Sequence, residues 1–166
     1  MISITAEYAL RAAVVLAKSD KPMKTKDVAE ISQVPREYLA KIVQLLARGN
    51  IIASKKGRGG GISLAKPAAE INLYDVIQVV DPVRHYEQCP FRLLEHKEGL
   101  CPLHTRLEYL IVDLEKEFKT TTLDQLIQDK DGNALCQVIK KQTASLCSGK
   151  RGRAPLSAHY PKTPVL

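Results

Sequence analysis

The run from Ile51 to Pro67, IIASKKGRGGGISLAKP, leaves the chain few choices of local structure. IIASKK and ISLAK are short segments with β-branched residues, and GRGGG between them can turn sharply because glycine takes positive φ at little steric cost. A β-hairpin is predicted. Its glycines also strip away side-chain bulk, so backbone amides at Gly59 and Gly60 can approach another molecule closely while Lys55, Lys56 and Arg58 supply positive charge. A nucleotide-binding P-loop is the competing reading. That loop needs Lys-Ser/Thr after its glycines at a helix start, whereas here the chain runs on into a strand.

The residues before the hairpin are helical. AEYALRAAVVLAK wraps Tyr8, Leu10, Ala12, Ala13 and Leu16 around one side of a helix, with Thr5 available as its N-cap. After SDKP, Thr25 can cap a short second helix that buries Val28, Ala29 and Ile31. A third begins at Pro35, carries Leu39, Ile42, Val43 and Leu46 on one face, and has Gly49 as its C-terminal stop. Two helices joined by the turn SQV match a helix-turn-helix, a pattern shared with any αα-hairpin of a bundle. The hairpin that follows favours the first reading, because a helix-turn-helix with a two-stranded wing is a winged helix whose second helix enters a major groove.

Charge points the same way. Residues 1–67 hold 12 Lys/Arg against 5 Asp/Glu, residues 68–147 hold 9 against 13, and residues 148–166 hold 4 against none. A cationic, partly helical front beside an acidic middle is the footprint of a polyanion partner, since each phosphate neutralised releases condensed counterions. Aromatic content of 5% without Trp, against abundant Leu, Ile, Val and Ala, favours helices over a β-sandwich. There is no apolar run of about 18 residues, and Glu7 and Arg11 interrupt the first apolar stretch where a signal peptide would be unbroken. A soluble, cytoplasmic protein without membrane contact is expected, its four cysteines free thiols, metal ligands or redox centres rather than structural disulfides.

Beyond the hairpin, PAAEINLYDVIQVVDP resumes helical periodicity with Leu73, Val76, Ile77 and Val80 on one side. The next stretch mixes charge, glycine and proline and carries Cys89, Cys101 and His104, as an exposed loop would. From Thr105 a long helix is predicted: Leu107, Leu110, Ile111, Leu114 and Phe118 form one stripe, with Glu108, Asp113, Glu115 and Lys116 mainly outward. Such a stripe is read as a dimer seam or as a face packed within its own chain. Two heads spaced about one turn of DNA apart would double the contacts and select palindromic sites. Thr122 with Gln125 offers a capping box for a short helix after it. Thiolates and imidazole suit iron-sulfur clusters and zinc, but the CxxC spacing of a zinc knuckle is absent, and spacing alone leaves a metal site and incidental cysteines equally open.

The fold class is therefore mainly α, an N-terminal winged helix-turn-helix with a two-stranded wing followed by a long dimerisation helix. The divisions expected are 1–67 for DNA binding, 68–104 for a linking helix and cysteine-bearing sensor loop, 105–130 for the dimerisation helix and a short helix after it, 131–147 for a C-terminal segment, and 148–166 for a disordered basic tail. The groove-facing candidates are Arg36, Glu37 and Lys41, with Lys55, Lys56, Arg58, Gly59 and Gly60 on the wing. Catalysis has little support: Cys89 with His85 or His104 could pair as a nucleophile, but there is no orienting third group or oxyanion-hole motif. A protein-interaction module without DNA affinity is the other rival, separated by salt-dependent duplex binding.

AEYALRA, VPREYLAKIVQLLARGNII, GRGGGISLAKP, INLYDVIQVVD and TTLDQLI occur in an order that resembles the winged-helix iron-sulfur transcriptional regulators of the IscR/NsrR type, over roughly residues 1–130. The resemblance implies a cytoplasmic homodimer on double-stranded operator DNA, a repressor in the first instance, sensing iron, redox state, nitric oxide or cluster supply. Cys89 and Cys101 fall where the family's first and last cluster cysteines lie, and His104 takes the place of a histidine that follows the last. The middle cysteine is missing, and LLEHK stands there with Glu95 and His96. Glu7 lies where some relatives supply a carboxylate from the partner subunit. A 2Fe-2S cluster on Cys89, Cys101, His104 and Glu7, with Glu95 or His96 as substitutes, is what the resemblance implies. A cluster-free thiol sensor and a merely structural loop are the alternatives, and Cys136 and Cys147 are read as incidental.

Overall fold

The computed structural model describes residues 2–57, 59–87 and 100–128. Arg58, Cys89, Glu95, His96, Cys136, Cys147 and the basic tail lie outside the described residues.

Helix α1, Ile4–Ala17, is the central element. Five consecutive residues, Ala12 to Leu16, are buried together with Ala6 and Ala9, so the helix is apolar all round where neighbours surround it. Those neighbours are α2 (Thr25–Ser32), α3 (Arg36–Arg48), α4 (Leu73–Val80) and α6 (Leu123–Gln128). The predicted stripe is shifted, since Tyr8 and Leu10 are only half-buried. The cap is shifted too: Ser3 Oγ accepts from the Ala6 N–H at 3.2 Å, and Thr5 lies inside the first turn. In α2, Thr25 is the first helical residue rather than the cap, which is Lys24 without a side-chain bond.

The turn between α2 and α3 holds Gln33 in the left-handed region at φ 56°, and the Val34 N–H reaches back to the Ala29 carbonyl at 3.1 Å. Ser32 is buried and donates its hydroxyl to the Val28 carbonyl at 2.6 Å, so the polar group enters the core already paired. Helix α3 starts after Pro35 and buries Leu39, Ile42 and Leu46, with Val43 half-buried, as its spacing predicts. Its C-cap is Gly49 as expected, but for a different reason. Gly49 keeps φ −80° while Asn50 takes the left-handed turn at φ 55°; the glycine is needed because a Cβ there would overlap the methyls of Val79 on α4.

Strands β1 (Ile52–Lys55) and β2 (Gly61–Leu64) pair antiparallel, Ile52 opposite Leu64 and Lys55 opposite Gly61. A third piece joins them. Met23, between α1 and α2, donates to the Ile62 carbonyl at 2.9 Å and accepts from the Ile62 N–H at 2.8 Å. Two main chains can come this close beside β2 only because Gly61 lacks a Cβ, which would overlap the Met23 carbonyl.

A short 3-10 turn, Ala68–Glu70, leads to α4, whose N-cap Asn72 accepts from the Asp75 N–H at 2.8 Å. The long helix α5, Pro102–Thr120, begins three residues before Thr105, with Pro102 in its first turn. The capping box at Thr122 and Gln125 is present, with bonds of 2.9 and 3.3 Å, and starts α6. Backbone bonds from Leu73 to Thr121 and from Leu123 to Ile71 then return the chain to the head, where Leu123 is fully buried in the common core.

The stripe on α5 is rotated from expectation. Leu107, Ile111, Leu114 and Phe118 are half-buried, Leu110 is 64% exposed, and Glu115, predicted outward, is buried. Glu115 tolerates burial because its carboxylate is paired with His85 and Lys119.

Candidate nucleic-acid interface

Burying Leu39, Ile42 and Leu46 turns the opposite side of α3 to solvent, and that side carries Arg36, Glu37, Tyr38, Ala40, Lys41 and Gln44, all exposed. Arg36 and Lys41 are free to reach phosphates or guanine edges, and Glu37, in the first turn, sits favourably at the positive end of the helix dipole. Periodicity does not single out Tyr38. It is 53% exposed, stacks edge-on against Tyr8 of α1 with ring centroids 6.1 Å apart, and lies 6.0 Å from the Lys41 ammonium. On the far side Arg11 lies 6.0 Å over the Tyr8 ring and is ion-paired with Glu7 one turn away. The sequence hint of this row is two tyrosines, each three residues before a cation, on separate helices.

The wing is attached to the end of α3 by the Ile51 N–H, which donates to the Leu46 carbonyl at 2.9 Å, and by the Ile51 carbonyl, which accepts from Ala65 at 2.9 Å. Its side chains at Lys55 and Lys56 are exposed. The glycines divide the work of the turn. Gly57 and Gly59 have φ of 105° and 80°, while Gly60 needs its missing Cβ because one there would overlap the Lys55 carbonyl; its N–H closes the turn on Gly57 at 2.9 Å. Arg58, between them, lies outside the described residues.

At the start of α5 the structure brings together two of the predicted ligands. Cys101 stands at the N-terminal boundary of α5 without a side-chain cap bond, and its Sγ lies 3.1 Å from Nδ1 of His104, both residues buried, with the His104 ring packed on Tyr86 at 4.9 Å. Glu7, which the resemblance would bring in from the partner subunit, has its carboxylate held by Arg11 of its own chain. Among the described residues no group of three or more His, Cys, Asp or Glu is arranged to hold a metal ion.

A second polar cluster lies beside this end. His85, in the segment after α4, binds Glu108 through Nδ1 at 2.5 Å and Glu115 through Nε2 at 2.9 Å. The second Glu108 oxygen accepts from the Tyr86 N–H at 2.8 Å, and Glu115 also binds Lys119 at 2.9 Å, whose ammonium sits 4.2 Å over Tyr74 of α4. The two carboxylates hold His85 above the ordinary imidazole value of 6.5. The Tyr86 amide and then the His85 ring hold Glu108 low. Burial pushes the Glu115 carboxyl up, but the bonds from Lys119 and His85 outweigh it and leave it low. Two carboxylates seven residues apart on one helix share a face, and that spacing is the signal the sequence offers.

The sequence matches the family model described as Rrf2: Iron-dependent Transcriptional regulator over residues 2–129. An HTH-type transcriptional regulator of Aquifex aeolicus is 34% identical over 131 residues, covering 76% of this chain and 91% of that protein. The HTH-type transcriptional regulator NsrR of Oceanobacillus iheyensis is 32% identical over 130 residues, covering 75% and 88%. Among solved structures, CymR, the global cysteine regulator of B. subtilis, superimposes with a TM-score of 0.65 at 25% identity over 79% of this chain and 98% of its own. T. potens IscR shares the fold, with a TM-score of 0.63 at 20% identity over 81% and 90%. These relatives are regulators rather than enzymes, and an exposed recognition helix continued into a wing is what a DNA-binding regulator requires. The chain is a DNA-binding transcriptional regulator of the Rrf2 family.

Proposed function

We propose that this chain acts as a homodimer on palindromic operator DNA, as a repressor, with Arg36, Glu37 and Lys41 in the major groove and Lys55, Lys56, Arg58 and the Gly59 and Gly60 amides against the backbone. The observation that carries this reading is the division of α3 into one buried apolar side and one exposed side bearing both cations, continued directly into an exposed cationic hairpin. Leu103, Tyr109, Leu110 and Val112, all exposed on α5, support that helix as the seam between subunits. The test is duplex binding over a range of salt. Lys55→Ala with Arg58→Ala should weaken binding on every sequence and flatten the slope of log K against log salt, by about 1 for each phosphate no longer neutralised. Unchanged affinity and slope would remove the wing from the interface.

The signal is read at the start of α5. A buried sulfur and an imidazole nitrogen 3.1 Å apart are a donor pair suited to a 2Fe-2S cluster, with Cys89 as a third ligand and Glu7, Glu95 or His96 as the fourth. The resident group, when bound, supplies electron transfer and reactivity toward oxidants or nitric oxide. This chain's own part is to tie Cys101 and His104 to the start of α5, so that their engagement acts directly on that helix. Glu7 can serve only by leaving Arg11. A second reading, thiol sensing without a cluster, draws on the same pair, a cysteine sulfur in contact with an imidazole nitrogen at the start of α5. Anaerobic purification decides between them. Iron, acid-labile sulfide and visible absorption that Cys101→Ala abolishes are expected; a colourless, iron-free dimer whose operator binding responds to thiol oxidants would establish the second reading instead.

A further inference from the structure

The cluster around His85 has no place in the DNA contacts or in the sensing pair. Its geometry is specific about protonation. A neutral imidazole donates from one ring nitrogen only, yet both nitrogens of His85 face carboxylate oxygens, Glu108 at 2.5 Å and Glu115 at 2.9 Å. Both contacts are hydrogen bonds only when the ring is the doubly protonated cation. Among the described residues, the groups around it are Glu108, Glu115 and Lys119 from α5, and Tyr74 from α4 through Lys119. Arg84 and Asp81, nearby in the chain, line the adjoining groove with Ile111, Leu114 and Phe118 of α5.

We propose that His85 is a proton-operated clasp: as imidazolium it pins α5 to the segment after α4, and on losing its proton it releases one carboxylate and lets α5 shift, so that operator affinity follows pH. This inference rests on the reading that α5 joins the two subunits and so sets the spacing of their recognition helices. Ring titration is an ordinary histidine property, but here the two bonded carboxylates move the release point above the usual 6.5. His85 is a positioning residue: its ring bonds go to Glu108 and Glu115, not to the recognition helix or to Cys101 and His104.

Two measurements on the full-length dimer test it. The first is the His85 ring titration by NMR, alone and with Glu108→Gln. A raised titration that falls back in the variant is expected; an ordinary value unchanged by Glu108→Gln would overturn the clasp whatever the protein does on DNA. The second is affinity for a duplex selected by the protein from a random pool, between about pH 6 and 8.5. The wild type should lose affinity about fivefold or more across that range. His85→Arg, a permanent cation able to bridge both carboxylates, should hold the low-pH affinity throughout, and His85→Gln the weaker high-pH affinity throughout. Parallel profiles for all three proteins would overturn the proposal, even if the ring titrates high, since His96, His104 and His159 are unchanged in every arm. If DNA binding is absent at every pH, the first measurement still decides the clasp, and the failure belongs to the operator reading.

Discussion

At the level of single residues, the wing depends on atoms that are missing. Gly61→Ala would drive a methyl into the Met23 carbonyl and break the bridge to Ile62, an overpacking change that should cost about 1–3 kcal/mol. Gly57→Ala meets no neighbour but must hold φ 105°, at about 1 kcal/mol. Urea denaturation should show both as lower midpoints, larger for Gly61, with unchanged slopes. The glycine run is legible as a turn from its composition, but the separate requirement at each position is not. Which glycine needs left-handed backbone and which needs room depends on the Met23 and Lys55 carbonyls, one of them in a segment about forty residues away.

Among the elements, helix starts test local pattern most severely. Serine, threonine and asparagine all cap well, so a sequence with both Ser3 and Thr5 offers two starts, and the chain forms the longer helix with Ser3 outside it. Ser3→Ala should destabilise the fold by about 1 kcal/mol in thermal or urea unfolding, while Thr5→Ala should have little effect on the cap. Helix α5 is legible in its length and apolar content. Its orientation is not, because periodicity assigns the outward side to charged residues and cannot foresee that His85 and Lys119 make burial of Glu115 acceptable. Leu110, which that rotation leaves 64% exposed, gives a clean test of the seam. Leu110→Glu should leave helicity and melting of the subunit near wild type while sedimentation shows a shift from dimer to monomer.

For the molecule as a whole, the ion pairs on α5 set a pH range for stability. Glu108 and Glu115 have depressed folded-state values, so their contribution is present above the ordinary carboxylate value of 4.5 and is lost as pH falls through the folded values. His85 is raised, so its contribution is complete below 6.5 and is lost as pH rises through the folded value. Melting temperature plotted against pH should therefore decline on both sides, and Glu115→Gln should reduce the decline on each. The sequence shows a cationic front and an acidic middle, and the exposed sides of α3 and the wing agree with it. It does not show that α6 closes onto α1 through Leu123, since six residues with a capping box fit equally well in many places.

The paired backbone bonds between Met23 and Ile62 have a mechanical result for operator search. They hold β2 on its second edge, one pair from the turn, so that the strand is bonded to β1 on one side and to the connection preceding the helix-turn-helix on the other. In the proposed DNA complex that anchorage fixes the reach of the wing relative to α3, so a duplex whose grooves are spaced differently is gripped less tightly.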